Sequence, residues 1–152
     1  MTKLNIGRFL IVLGLVVGLE SLRQTFSHIG DPLYTVTPQF GGGTTHSWYH
    51  ALREVMGDLS TIGILLLVMF GWKSWRTPAT WWISLILMFG YYSPFWIGIP
   101  FNAELAAPSF AIDLRHMAQA AIPVIGLFLA RTAFFGEEQT EAGELNGAVS
   151  HG

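Results

Sequence analysis

Four long apolar stretches, separated by segments rich in polar and turn-forming residues, define the pattern of this chain. They cover about residues 7–24, 46–72, 80–101 and 109–135. A helix needs roughly 20 residues to cross ~30 Å of hydrocarbon, and each stretch is long enough, the third only when it extends toward Phe101. The run from Ile64 to Phe70 is apolar on every side, whereas a helix facing water shows a polar face. The pattern predicts an all-α integral membrane protein built as a four-helix bundle.

The same pattern predicts the domain organisation and the nature of both ends of the chain. Residues 1–135 are expected to form one transmembrane domain, and residues 136–152 an acidic, disordered cytoplasmic tail. Lys3 and Arg8 precede the first apolar run, as basic residues do in a signal peptide. No small-x-small cleavage site follows that run, because Glu20 stands there instead. The first stretch is therefore expected to be a retained membrane anchor.

The positions of lysine and arginine predict the orientation of the helices. Five of these cations fall at one end of the predicted bundle: Lys3, Arg8, Lys73, Arg76 and Arg131. Cytoplasmic segments carry the excess of Lys and Arg, so this end and both termini are expected in the cytoplasm. The compact size and the absence of a targeting sequence favour a bacterial inner membrane, with the opposite end facing the periplasm.

Composition agrees with a lipid environment and excludes several kinds of chemistry. Of the 152 residues, 51% are hydrophobic and 12% are charged. Soluble domains usually carry about 25% charged residues. The net charge of −2 excludes nucleic acid as a partner, because nucleic-acid binders are basic. The chain has no cysteine, so disulfides, thiolate metal sites and iron–sulfur clusters are excluded, and any bound metal would be held by nitrogen and oxygen.

Ionisable side chains collect toward the outer end of the predicted bundle. At the start of the second stretch they recur every four residues, at His46, His50, Glu54 and Asp58. At the start of the fourth stretch Asp113 and His116 are three residues apart. Counting ~1.5 Å per residue from the cytoplasmic end places members of three helices on nearly one level: Arg23, Asp58 and His116. Charged groups at membrane depth are costly, so this layer is the predicted functional site.

A transition-metal site is the first interpretation of the layer. His46 and His50 share one helix face, which Glu54 continues one turn deeper. Asp113-x-x-His116 has the spacing of the carboxylate and histidine pairs that hold di-iron centres in helix bundles. These five residues are the predicted ligands, and they favour copper, iron or zinc, with redox chemistry on a small or lipid-soluble substrate. The residues expected to orient the ligands and balance charge are Glu20, Arg23, Arg53, Asp58 and Arg115.

A structural network of charges is the second interpretation. Arg23, Arg53 and Arg115 stand against a similar number of carboxylates, and charges inside membranes usually pair with one another. Pairs such as Arg23 with Asp58 would hold the helices, another copy of the chain or other membrane subunits in register. The chain would then be a non-catalytic subunit of a larger membrane complex, for example an oxidoreductase complex.

Two less favoured alternatives complete the set. The first is a b-type haem whose iron is bound by His116 and by His46 or His50. Two features disfavour it: His116 lies about two turns deeper than His50, and four carboxylates lie near the site. The second is a small transporter. The sequence names no reaction, so enzymatic activity stays open.

Overall fold

The computed structural model of the protein describes residues 1–35, 45–95, 101 and 109–136. No strand occurs in these residues, and the prediction of an all-α fold is confirmed for them. In this part of the chain five helices and one 3₁₀ turn follow one another: α1 (Lys3–Ser27), α2 (His46–Phe70), the turn Lys73–Trp75, α3 (Pro78–Tyr91), α4 (Phe110–Leu129) and α5 (Thr132–Phe135). The fourth apolar stretch thus forms two helices rather than one.

Two of the described helices, α1 and α4, are long and apolar enough to cross a membrane. Helix α2 has 25 residues but carries Arg53, Glu54 and Asp58. Helix α3 has 14 residues, fewer than the roughly 20 that a crossing needs. The predicted continuation of α3 falls on residues 96–100, and the predicted tail, apart from its first residue, on residues 137–152; both lie outside the described residues.

Local hydrogen bonds explain where α1 and α3 begin. Thr2 Oγ1 accepts from the N–H of Asn5 at 3.3 Å, which satisfies a donor in the first turn of α1. At α3, Thr77 Oγ1 accepts from the N–H of Thr80 at 3.3 Å, and Thr80 Oγ1 accepts from the N–H of Thr77 at 2.9 Å. Pro78 occupies the first turn, where its missing N–H costs nothing. These capping groups set the start of both helices.

Contacts between helix ends show that neighbouring helices run in opposite directions. Arg8, near the start of α1, donates from Nε to the carbonyl of Met69 at the end of α2, at 2.8 Å. Trp81, near the start of α3, donates from Nε1 to the carbonyl of Leu127 at the end of α4, at 3.1 Å. Arg76 also reaches the Met69 carbonyl, at 3.4 Å. We call this end of the molecule the basic end, and the end where α2 and α4 begin the polar end.

Helix α1 packs most closely against α4. Small residues make this approach possible, because a Cβ atom built on Gly14 would lie 2.4 Å from Cδ of Pro123, and one built on Gly7 would lie 2.4 Å from the carbonyl oxygen of Gly126. Helix α2 packs against α1 and α3, and α3 packs against α4 as well. Each of these four helices therefore has two of the other three as neighbours, and α1 and α3 also contact the short helix α5.

Most of the large buried side chains lie toward the basic end. They include Ile11, Leu65, Met69, Trp81 and Leu127. Toward the polar end the buried side chains of α2 are smaller: Ser47, Ala51 and Val55. Cavities open between the helices at that end. The basic end has a wide surface groove of about 310 Å³ beside the end of α2, and the cavities among polar side chains lie at the other end.

Candidate functional site

The two histidines at the start of α2 lie against each other. The Nε2 atoms of His46 and His50 are 2.9 Å apart. Their rings are nearly perpendicular, at 87°, with centroids 4.5 Å apart. Both side chains are exposed at the polar end. The structure therefore brings together two of the five predicted metal ligands, as their spacing of one helical turn implies.

Tyr49 supports this histidine pair. Its ring lies 5.9 Å from that of His46, at an angle of 22°, and meets the ring of His50 edge-on at 5.5 Å. The guanidinium carbon of Arg53 stands 6.0 Å from the Tyr49 centroid. Arg53 thus contacts an aromatic ring, and among the described residues no carboxylate pairs with it.

Glu54 and Asp58 continue down α2 and line a cavity of about 160 Å³. Asp58 is half-buried and Glu54 is exposed. Neither carboxylate forms a hydrogen bond or an ion pair with a described residue. We call this space the carboxylate cavity, and its walls include Ser21, Glu54, Asp58, Tyr91, Phe95 and Gln119.

A second cavity, of about 180 Å³, adjoins the first between α1 and α4. We call it the histidine cavity, and its walls include Glu20, Ser21, Arg115, His116 and Gln119. Ser21 and Gln119 line both cavities and so stand between them. Side chains from the predicted polar layer therefore surround two adjoining spaces at the polar end.

Glu20 and Arg23 pair with each other on the surface of α1. Arg23 donates from Nε to Oε2 of Glu20 at 2.9 Å and from Nη2 to Oε1 at 2.5 Å. The arginine and glutamate side chains are 70% and 64% exposed. The sequence suggested a pair between Arg23 and Asp58 across two helices. The structure has a local pair instead, because residues three apart on one helix meet without any constraint on helix packing.

Asp113 and His116 lie on α4, apart from the histidine pair of α2. The His116 ring stacks on Phe95, with centroids 4.7 Å apart and an angle of 20°. In the described part of the chain no three His, Asp or Glu side chains lie close enough to hold one metal ion. The five predicted ligands thus share the polar end without forming one cluster. The number of residues along each helix predicted that these side chains lie at a similar level. Side chains at one level on different helices do not have to point toward a common centre.

Sequence analysis missed Gln119, a polar residue near the middle of this site. Its side chain is 4% exposed and reaches both cavities. A signal was present in the sequence, because Gln119 follows His116 by three residues, as His116 follows Asp113, and so continues the polar face of α4. Ser21 was missed because a single serine in an apolar stretch is common and carries no charge.

Comparison with family models, curated proteins and solved structures finds no match for this chain. The molecule is defined by its own features: an all-helical fold in the described residues, two helices able to span a membrane, and a polar end with a histidine pair and two cavities.

Proposed function

We propose that the protein is an integral membrane protein that binds a transition-metal ion through His46 and His50. The separation of 2.9 Å between their Nε2 atoms carries the proposal. Two nitrogens bound at roughly 2.0–2.1 Å lie about 2.9 Å apart when they subtend an angle of ~90° at the metal. In this structure the separation is a hydrogen bond between the two rings, so a metal ion would have to replace the shared proton, with the donor ring moving its proton to Nδ1. The two nitrogens would then fill adjacent positions of a tetragonal or octahedral site.

Copper(II) fits this pair better than the other candidate metals. It favours tetragonal sites and binds nitrogen donors more tightly than the other divalent first-row ions. Water would fill the remaining positions, and Glu54, one turn deeper, is the nearest protein carboxylate on that face of α2. Such an open site would suit metal exchange or redox chemistry with a small molecule.

In this proposal α1, α2, α3 and α4 all cross the membrane. Neighbouring helices alternate in direction, and the charged residues of α2 lie in its first half, near the polar end. Helix α3 reaches spanning length only with residues beyond Tyr91, where the sequence remains apolar. The basic end would face the cytoplasm together with both termini, so the histidine pair would face the periplasm of a bacterial inner membrane.

Copper titration of the purified protein in detergent tests the metal site. Wild type is expected to bind one Cu(II) per chain, with an electron paramagnetic resonance spectrum that shows nitrogen ligation. The double change of His46→Ala and His50→Ala is expected to abolish stoichiometric binding. Absence of stoichiometric copper in the wild type, or its full retention in the double variant, would contradict the proposal.

Two other histidines serve as matched controls. His28 lies at the end of α1 and stacks on Tyr34 with centroids 4.1 Å apart, so His28→Ala is expected to retain copper. His116→Ala is expected to retain it as well, because His116 lines the histidine cavity on α4. Loss of copper in His116→Ala alone would show that the ligand set spans two helices and that the pair on α2 is not sufficient.

A second candidate function is that of a non-catalytic subunit in a larger membrane complex or a homo-oligomer. The exposed pair of Glu20 and Arg23 on α1 favours it, because charged side chains at membrane depth usually face protein or water rather than lipid. Purification in a mild detergent separates the two candidates. A stoichiometric partner that is lost in the double change of Glu20→Ala and Arg23→Ala supports the subunit, and a metal-free monomer supports neither.

A further inference from the structure

We propose that the carboxylate cavity is a second site, separate from the histidine pair, which binds a small organic ammonium ion. Asp58 would supply the opposite charge, and Gln119 would supply hydrogen bonds. The inference rests on a buried amide with no hydrogen-bond partner among the described residues, an excess of negative charge and an aromatic wall, all within one cavity.

Gln119 is the observation that points to a ligand. Its side chain is 4% exposed, and no hydrogen bond joins its carboxamide to a described residue. The amide oxygen lies against the bare backbone of α1, 3.7 Å from where a Cβ atom would stand on Gly18. Burial of an amide without a hydrogen bond is unfavourable. A ligand in the cavity that Gln119 lines would satisfy this group.

Pro123 removes one helical hydrogen bond at the same residue. Proline has no N–H, so Pro123 cannot donate to the carbonyl of Gln119 four residues earlier, as a residue in a regular helix would. Within a membrane such a freed carbonyl has no bulk water to bind. The helix is therefore locally weakened beside the side chain that lines the cavity.

The charges around the carboxylate cavity favour a cation. Glu54 and Asp58 lie one helical turn apart on the same side of α2, so their charges repel each other. The nearby arginines lie elsewhere: Arg23 on Glu20, Arg53 over an aromatic ring, and Arg115 in the wall of the histidine cavity. No described cation pairs with Asp58, which is half-buried.

The remaining walls favour an organic cation over a metal ion. Tyr91, Pro94 and Phe95 line the cavity, and aromatic faces attract ammonium groups. The volume of about 160 Å³ exceeds the ~30 Å³ that one water molecule occupies in the liquid. Its described walls include two carboxylates and no histidine, so a transition-metal ion would find no imidazole ligand there. An ammonium group would donate to the Asp58 carboxylate and the Gln119 amide oxygen while its carbon atoms contact the rings.

Calorimetric titration of the full-length protein in detergent with ethylammonium chloride tests this site. Wild type is expected to show saturable binding at one site. Asp58→Asn and Gln119→Leu are each expected to weaken binding about tenfold or more, because each removes a hydrogen bond to a charged donor. The matched controls Glu20→Gln and Gln24→Leu alter the histidine cavity only and are expected to bind as wild type does.

Titration of the wild type with other small molecules tests the proposal even when a variant fails to fold. Ethanol, a neutral molecule of similar size, is expected not to bind, and sodium at the same concentration is expected not to compete. Equal binding of ethanol, equal competition by sodium, or no saturable binding of ethylammonium would overturn the proposal. The double change of His46→Ala and His50→Ala is expected to leave ethylammonium binding unchanged, and loss there would show that the two sites are not separate.

Discussion

Gly14 of α1 lies directly against Pro123 of α4, so closely that a Cβ atom on Gly14 would stand 2.4 Å from Cδ of the proline. This contact joins the two described helices that are long and apolar enough to cross a membrane. The same proline removes the helical donor of the Gln119 carbonyl. The contact between Gly14 and Pro123 therefore brings α1 close to α4. It also lies one helical turn from Gln119, which stands between the two cavities.

We expect Gly14→Ala to destabilise the protein. The added methyl group would meet the buried Pro123 ring, and relief of that clash requires α1 and α4 to move apart. Overpacking of this kind costs about 1–3 kcal/mol. The melting temperature in detergent, followed by circular dichroism, should fall clearly below that of the wild type.

Gly57 on α2 provides the matched control for this change. A Cβ atom at Gly57 would have no heavy atom of a described residue within 4 Å, apart from its own helix turn and chain neighbours. Alanine is a better helix former than glycine by ~0.5–1 kcal/mol, so Gly57→Ala should leave the melting temperature unchanged or raise it. Equal destabilisation by the two substitutions would show that the close approach of α1 to α4 is not the cause.

We expect Trp81→Phe to destabilise the protein more than Trp82→Phe does. Trp81 is 2% exposed and donates to the carbonyl of Leu127, whereas Trp82 is 53% exposed. Phenylalanine at position 81 would leave a buried carbonyl without a donor, at a cost of ~1–3 kcal/mol. Thermal unfolding of the two variants side by side checks this, and similar melting temperatures would contradict it.

The two arginines of α1 should differ in their effect on stability. Arg8 is partly buried, donates to Met69 and lies 5.2 Å from the ring centroid of Phe70, so Arg8→Ala should cost about 1–3 kcal/mol. Arg23 is exposed and pairs within its own helix, so Arg23→Ala should leave the melting temperature unchanged. A large loss of stability in Arg23→Ala would instead favour a pair with a buried carboxylate on another helix.

Single cysteines should report the proposed orientation, because the chain contains none of its own. Thr45 precedes α2 at the polar end, and Lys73 follows α2 at the basic end; both are exposed. A thiol reagent that cannot cross membranes should label Thr45→Cys from the periplasmic side, and should label Lys73→Cys only after the membrane is made permeable. Labelling of both sites in intact spheroplasts would contradict the proposal that α2 spans the membrane.

Periodicity along the chain predicted the features that belong to single helices. The all-α fold and the start of α2 at His46 follow from apolar runs and the breaks between them. The contact between His46 and His50 follows as well, because residues four apart meet on any helix. Helical rise also predicted that the charged residues of three helices lie toward one end. Residues 96–100 and 137–152, on which other predictions fall, lie outside the described residues.

Tertiary structure alone decided which side chains from different helices meet. The sequence gives each residue its level and its face on one helix, but the lateral distance between helices depends on how small and large residues interlock. Contacts such as Gly14 with Pro123 set that distance. They leave Asp113 and His116 apart from the histidine pair and enclose Gln119, because packing constrains all helices at once whereas helical periodicity acts within one.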